Sequence, residues 1–154
     1  EVAHTLQDAG HNGPLALVVS GRRAPRCRDQ ETPIAQLDDT EFVATVARRY
    51  GGFPAAVLES PELMALLIPA LRADMRLTEA YEYRKERTLA CPIVAFGGLS
   101  DDRVSRDELT AWGHETSTRF DWEALPGDHF FHQSHRETIL GRLDGVVRAC
   151  LSSR

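Results

Sequence analysis

A carboxylate and an imidazole each follow a strand-like run in the second half of the chain. Asp101 comes soon after the apolar run Cys-Pro-Ile-Val-Ala-Phe-Gly-Gly (91–98), and His129 stands in a Pro-Gly-Asp-His turn. A carboxylate that binds one ring nitrogen of a histidine fixes the tautomer, so that the other nitrogen can act as a general base. The sequence therefore predicts that Asp101 orients His129 and that His129 is the base. Asp102 competes with Asp101, because side chains one residue apart in a loop cannot be ranked from sequence.

The residue that such a base would activate is missing from the sequence. No Gly-x-Ser-x-Gly segment, which presents a serine nucleophile after a strand, occurs in the chain. Cys91 opens an apolar strand, and we expect it to be inert packing rather than a nucleophile. The sequence therefore predicts an acid and a base without their nucleophile.

Three histidines with regular spacing raise the alternative of a metal site. His129, His132 and His135 recur every three residues, and Asp128 adds a carboxylate. Zinc ligands need a fixed second shell and usually a further ligand from elsewhere in the chain. We expect His129 to lie in the turn before a helix rather than on that helix, and we therefore predict no metal site.

Composition limits the class of protein. The 154 residues are 42% hydrophobic, which suits one domain with a real core, and the net charge of −5 argues against a nucleic-acid binder. The three cysteines are widely separated, which indicates neither a disulfide framework nor a zinc ribbon. No apolar run approaches the length needed to cross a bilayer, so we predict a cytoplasmic protein. The first residues lack a Met and a helix cap, and we expect the chain to be truncated at its N-terminus.

Three segments have the pattern of strands, and they are residues 15–20, 92–97 and 118–125. The first is a continuous apolar run, which suits a strand buried on both faces of a parallel sheet. In the third, Asp121 and Glu123 alternate with apolar residues, which predicts an edge strand with one wet face.

Helices are predicted between and after these strands. One begins at Asp38 or Asp39 and stops at Gly51-Gly52, and another begins at Ser60-Pro61 and is expected to kink or split at Pro69. Their apolar stripes are Phe42, Val43, Val46 and Tyr50 in the first, and Leu63, Leu66, Leu67, Ala70, Leu71 and Met75 in the second. A capping box, Ser105-x-x-Glu108, starts a further helix. The last helix places Ile139, Leu143, Val146, Val147 and Leu151 on one stripe that is expected to cover the sheet.

This order of elements predicts a parallel α/β fold. More than seventy residues of mostly helix separate the first strand from the second, far more than one crossover needs. The surplus predicts a helical insertion. The pattern leaves open whether the insertion is a plain helical subdomain or a substrate lid.

Several short segments resemble a known family. They are Ser-Gly-Arg-Arg-Ala-Pro (20–25), Gly-Gly-Phe-Pro (51–54), Leu-Ile-Pro-Ala-Leu-Arg-Ala-Asp-Met (67–75), Cys-Pro-Ile (91–93), Gly-Leu-Ser-Asp (98–101) and Pro-Gly-Asp-His-Phe-Phe (126–131). Together and in this order they resemble the type II thioesterases that accompany polyketide and nonribosomal peptide synthetases. The resemblance implies that residues 1–154 are the C-terminal portion of one α/β-hydrolase domain, with a helical lid inserted at about 38–83.

The resemblance also implies roles for the two site residues. Asp101 matches the triad acid through its Gly-x-x-Asp spacing, and His129 matches the triad base. The family's nucleophile is a serine in a Gly-His-Ser-Met-Gly-type elbow, which precedes the helix with which this chain begins. We therefore expect these 154 residues alone to be inactive, and we expect their three strands to expose an unpaired edge.

The implied function is that of a monomeric editing thioesterase, which removes aberrant acyl groups from the phosphopantetheine arms of carrier proteins. It needs no cofactor of its own, no metal, no nucleic acid and no membrane. Arg72, Arg76 and Arg84 are candidates to meet an acidic carrier protein. Two alternatives stay open: a hydrolase-like module that binds a carrier protein without chemistry, and a general esterase or lipase.

Overall fold

The chain divides into two compact units. The computed structural model describes residues 1–27, 31–50, 53–83 and 87–152. The first unit comprises Glu1–Arg28 and Arg84–Arg154, and the second comprises Asp29–Tyr83. The predicted insertion at 38–83 lies within the second unit, and its role as a lid stays a prediction.

Helices and strands alternate along the chain. In chain order they are α1 (Val2–Asp8), β1 (Leu17–Ser20), α2 (Asp39–Tyr50), α3 (Ala55–Leu58), α4 (Pro61–Glu79), β2 (Ile93–Gly98), α5 (Arg106–Thr110), a 3-10 helix (Ala111–Glu115), β3 (Phe120–Leu125), α6 (Phe131–Ser134) and α7 (Arg136–Ser152). Among the described residues, no helix combines the length and the apolar character that a membrane crossing requires.

The three strands form one parallel sheet in the order β1-β2-β3. The sheet confirms the predicted parallel α/β fold and the three predicted strands. Leu17 pairs with Ile93, and Ile93 pairs with Phe120. Among the described strands β3 lies at an edge, as predicted, but the predicted wet face is wrong, since every residue of β3 is half-buried or buried.

The prediction that β1 is buried on both faces is wrong for the described part of the chain. Its residues alternate between half-buried and exposed, and Val18 is 36% exposed. The strand is also shorter than the predicted segment 15–20, since its ladder begins where the Leu17 N–H donates to the Pro92 carbonyl (2.8 Å). Because β1 pairs only with β2 among the described strands, one of its edges has no neighbouring strand there.

Strand β2 is the centre of the first unit. Ile93 and Ala95 point to one face of the sheet and Val94 and Phe96 to the other, as the two-residue period of a strand requires. The first face packs on a cluster that consists of Ala24, Leu89, Cys91, Val104, Leu109 and Trp112. The second packs on Leu125, Phe131, Ile139 and Leu143. The polar loops that follow β2 and β3 are therefore held by a sheet that is covered on both sides at its centre.

Helix α7 covers the sheet with only part of its predicted stripe. Ile139 and Leu143 pack against the cluster that contains Phe96, whereas Val147 is 55% and Leu151 is 59% exposed. Helical periodicity identifies the apolar face of a helix but does not say how far along that face the partner extends.

The second unit is built on helix α2. Phe42 and Val46 are buried together with Ile34, as the predicted stripe requires. The Asp38 carboxylate accepts the Glu41 N–H (2.9 Å), which agrees with the predicted start of this helix. The predicted stop at Gly51-Gly52 lies outside the described residues.

Helix α4 differs from its prediction in two respects. It runs through Pro69 as one helix from the Ser60 cap, so the predicted split is wrong. Its packed face carries Ile68, Leu71 and Met75, while the first leucines of the predicted stripe lie exposed (Leu63 44%, Leu66 74%, Leu67 37%). A proline inside a helix costs about 3 kcal/mol, and packing of three large apolar side chains next to it on one core can offset that cost.

Candidate active site

The structure brings Asp101 and His129 together in the first unit. Asp101 Oδ2 lies 3.0 Å from His129 Nδ1. The Asp101 side chain is 1% exposed, and the imidazole is 24% exposed. Asp102, the competing carboxylate, is exposed, and Asp101 is the carboxylate on the ring. The buried Asp101 and the partly accessible ring of His129 thus have the arrangement that the sequence predicts for an orienting acid and its base.

Two backbone donors fix the Asp101 carboxylate. Its Oδ1 accepts the N–H of Arg103 (2.9 Å) and the N–H of Val104 (3.1 Å). The other oxygen, Oδ2, is left to accept a proton from the ring. Because an ionised carboxylate only accepts hydrogen bonds, we assign the neutral ring of His129 as the Nδ1–H tautomer, with a lone pair on Nε2. Such a nitrogen can take a proton from a nucleophile.

The loops that carry the pair are joined by backbone hydrogen bonds. The Leu99 N–H donates to Leu125 O (2.8 Å), and the Ser100 N–H donates to Gly127 O (2.9 Å). These bonds continue the pairing of β2 and β3 beyond the ends of the strands. The carboxylate and the imidazole, 28 residues apart in sequence, therefore lie on two loops in direct contact.

Glycine is required at two positions of this site for different reasons. A Cβ on Gly98 would lie 2.2 Å from the carbonyl oxygen of Asp128, closer than real atoms allow. At Gly21 the φ of +56° favours glycine, whereas a Cβ there would make an ordinary van der Waals contact, 3.4 Å from Cε1 of His129. Both glycines stand in sequence motifs, but the sequence does not show their roles, because these depend on the neighbouring loop and on the backbone conformation.

Replacing Gly98 with alanine is expected to lower stability by about 1–3 kcal/mol and turnover by roughly 100-fold. The added methyl group meets backbone on the loop that carries His129, so that loop must move. Urea unfolding measures the first effect, and the turnover of the full gene product measures the second. Gly141→Ala is the matched control, because nothing lies within 4 Å of a Cβ at Gly141. Equal behaviour of the two variants would contradict the assigned role of Gly98.

The imidazole lines a cavity of about 330 Å³. The other lining residues are Ser20, Gly21, Phe130 and His132. The Phe130 ring meets the His129 ring edge-on, at 5.5 Å between centroids. The structure shows no hydrogen bond between Ser20 and His129, both of which it describes, so this serine is not paired with the base. His132 was considered only as a metal ligand in the sequence, and its place at the cavity was not predicted.

A larger groove, of about 830 Å³, lies between helix α7 and the sheet. Val94, Trp122 and Gly145 are among its lining residues, which include neither Asp101 nor His129. We therefore place the candidate chemistry at the smaller cavity, since the paired titratable groups lie there.

The alternative of a metal site at the three histidines concerns the same part of the chain. Among the described residues, no group of three or more His, Cys, Asp or Glu side chains is arranged to hold a metal ion.

Cys91 is 3% exposed, and burial raises the pKa of its thiol. A higher pKa means less thiolate at neutral pH, which agrees with the prediction that Cys91 is packing.

Cys91 is accordingly expected to react with iodoacetamide much more slowly in the native protein than in urea. The expected ratio of rates is on the order of 100 or more, because alkylation needs both an accessible sulfur and a thiolate. Mass spectrometry of the alkylated peptides measures it. Fast labelling of Cys91 in the native protein would contradict its assignment as core.

The prediction that Arg72 is available to a carrier protein does not agree with its contacts. Its guanidinium donates to the carbonyls of Ala35 (2.7 Å) and Leu37 (2.6 Å) and pairs with Asp39 (2.6 Å). It also lies over the Phe42 ring, 4.4 Å from the centroid. The Arg72 side chain is 15% exposed, so its charge is used within the second unit. Arg76 is exposed, and Arg84 lies outside the described residues.

The chain is similar to one protein family and to several known proteins of biosynthetic pathways. The family model for the thioesterase domain matches residues 1–146. GrsT of Aneurinibacillus migulanus, a gramicidin S biosynthesis protein, is 37% identical over 140 residues, which cover 90% of this chain and 54% of GrsT. The solved structure of ClbQ, from the colibactin NRPS/PKS pathway, has a TM-score of 0.87 at 35% identity and covers 99% of this chain and 64% of ClbQ. BorB, the type II thioesterase of the borrelidin biosynthetic cluster, has a TM-score of 0.79 at 34% identity, over 94% of this chain and 58% of BorB.

The chain thus spans between 54% and 64% of the length of these three relatives. The structural neighbours have the α/β-hydrolase fold, so the predicted fold class is confirmed. The family match covers nearly the whole chain, including both Asp101 and His129. The chain therefore belongs to the thioesterase family, and its relatives include the type II thioesterase BorB and proteins of the gramicidin S and colibactin pathways.

Proposed function

We propose that this protein hydrolyses acyl thioesters held on the phosphopantetheine arms of carrier proteins, as an editing thioesterase of a nonribosomal peptide or polyketide pathway. The observation that carries the proposal is the contact between Asp101 Oδ2 and His129 Nδ1 at 3.0 Å, with the ring on a cavity. The family membership and the named relatives support thioester chemistry.

The proposed reaction has two steps, and His129 acts in both. In the first, Nε2 takes the proton of a nucleophilic hydroxyl, whose oxygen attacks the thioester carbonyl, and the imidazolium returns the proton to the leaving thiolate sulfur. In the second, Nε2 takes a proton from water, which attacks the acyl-enzyme and releases the carboxylic acid. Asp101 stabilises the imidazolium in each step. The reaction uses no bound cofactor or metal.

The nucleophile in this proposal is a serine of the family type. The 154 residues hold no Gly-x-Ser-x-Gly segment, so such a serine would have to come from sequence outside them. We propose that residues 1–154 alone do not hydrolyse thioesters. The same observation favours a second candidate function, a hydrolase-like module that binds a carrier protein without turnover.

The partner in this proposal is an acyl or peptidyl carrier protein, which the thioesterase meets as a monomer. GrsT is a gramicidin S biosynthesis protein and ClbQ belongs to an NRPS/PKS pathway, and this similarity supports a carrier-bound substrate for the protein. Exposed arginines of the second unit, such as Arg76, can attract an acidic carrier, although exposed charge affects association rate more than affinity.

The test uses the full product of the gene and a carrier protein loaded with a short acyl group. We expect release of the free acid from the carrier to exceed hydrolysis of the corresponding p-nitrophenyl ester at equal concentration. Faster hydrolysis of the free ester would instead indicate a general esterase. Binding of the loaded carrier without acid release would support the non-catalytic module and refute the thioesterase.

A further inference from the structure

Arg23 is a nearly buried cation for which the proposed reaction has no use. It lies in the loop that follows β1, and its side chain is 14% exposed. Nη2 donates to the carbonyl oxygen of Arg103 (3.0 Å), and Nη1 lies 3.6 Å from Oε1 of Glu108. Burial of a guanidinium is costly unless its donors are satisfied, so these contacts need an explanation beyond surface solvation.

The carbonyl that Arg23 binds belongs to the peptide that holds Asp101. The Arg103 carbonyl and the Val104 N–H are the two ends of one planar peptide group. Arg23 donates to the oxygen of this group, and the N–H of the same group donates to Asp101 Oδ1 at 3.1 Å. A charged donor on the oxygen polarises the peptide and strengthens the bond that its N–H makes. A single peptide group, between residues 103 and 104, therefore connects Arg23 to the carboxylate that contacts His129.

The loop that carries Arg23 is itself fixed against helix α5 and the 3-10 helix. The Ala24 N–H donates to Glu108 O (3.0 Å), and the Trp112 indole N–H donates to Arg22 O (2.8 Å). Glu108 also accepts from Ser105 in the capping box that starts α5. The backbone on both sides of Arg23 is thus bonded to the helices that follow the Asp101 turn.

Of the contacts of Arg23 with Arg103 and with Glu108, the one with the Arg103 carbonyl is the shorter. It measures 3.0 Å, whereas the 3.6 Å between Arg23 and Glu108 is longer than a charge-assisted hydrogen bond. The guanidinium therefore bonds directly to the turn that carries Asp101.

We propose that Arg23 is a positioning residue for the Asp101–His129 pair. It holds the 103–104 peptide so that the Val104 N–H stays on Asp101 Oδ1, which keeps Oδ2 on His129 Nδ1. The proposal rests on the proposed function of that pair. Arg23 does not line the cavity of His129, so its removal lowers kcat and leaves KM nearly unchanged.

The test compares Arg23→Ala, Arg23→Lys and Arg22→Ala in the full gene product. Arg22 is exposed, and within the described ranges it takes part in the network through its carbonyl alone, so Arg22→Ala is the control for loss of one charge. We expect Arg23→Ala to lower kcat about 10- to 100-fold with KM within about twofold. Arg23→Lys, whose single ammonium can reach the carbonyl but cannot form a planar fork, is expected to recover part of kcat. Arg22→Ala is expected to match the unsubstituted protein.

A second readout does not depend on turnover. The ¹⁵N spectrum of the imidazoles reports which ring nitrogen carries the proton, and in Arg23→Ala we expect a fraction of His129 to change to the Nε2–H tautomer. Unchanged kcat and an unchanged His129 tautomer in folded Arg23→Ala would overturn the proposal, as would an effect on KM alone. Absence of thioesterase activity in the unsubstituted protein would refute the proposed function, while the tautomer measurement would still decide the positioning role.

Discussion

Replacing His129 with glutamine in the full gene product is expected to lower kcat/KM for a carrier-bound acyl thioester by roughly 10⁴- to 10⁶-fold. Glutamine approximates the size of the ring and can still donate to Asp101, but it has no nitrogen that takes up and returns a proton near neutral pH. The loss is expected in kcat, because proton transfer is needed only in the transition states. Steady-state release of the acid from the loaded carrier measures it.

The matched control for this variant is His114→Gln. His114 is exposed in the 3-10 helix, and its carbonyl, which the substitution retains, accepts from Arg26. We expect this variant to keep the full rate. If His129→Gln kept a tenth of the rate or more, His129 would not be the base.

Replacing Asp101 with asparagine is expected to lower kcat by roughly 10³- to 10⁴-fold, the scale known for this change in serine proteases. Two backbone N–H groups bind Oδ1, so the asparagine oxygen is expected to take that position and to leave its amide NH₂ facing His129. A donor at this place selects the tautomer with the proton on Nε2. In that tautomer Nε2 has no lone pair with which to take the proton of the nucleophile.

Asp102→Asn provides the comparison, since Asp102 is the neighbouring carboxylate and is exposed. It is expected to retain activity within about twofold, as surface substitutions usually do. An equal loss in the two variants would mean that the charge of the loop, rather than the contact between Asp101 and the ring, matters for catalysis. Such a result would contradict the orienting role.

The sequence predicted the parts of the site that depend on local pattern. The apolar runs that became β2 and β3 end close to Asp101 and His129, and parallel strands bring their carboxyl ends to one edge of a sheet. The contact between the two side chains follows from that rule. The choice between Asp101 and Asp102 did not follow, since it depends on which carboxylate the Arg103 and Val104 N–H groups bind.

The features that sequence reasoning missed depend on contacts between segments distant in sequence. The Gly98 position requires glycine because the Asp128 carbonyl passes over it, and Arg23 meets Arg103 across 80 residues. The predicted apolar face of α4 is right at Leu71 and Met75 and wrong at its first leucines for the same reason. Its leucines and its Ile68 have similar helical spacing, and only the position of α2 decides which of them are covered.

The measurement that tests the central claim most directly is the kcat of the double variant Asp101→Asn/His129→Gln beside the two single variants. If Asp101 acts only through the ring of His129, the double variant is predicted to be no slower than His129→Gln alone, since groups that act as a unit are strongly non-additive. A double variant slower than His129→Gln by the full factor of Asp101→Asn would contradict the account, because the carboxylate would then act independently of the imidazole.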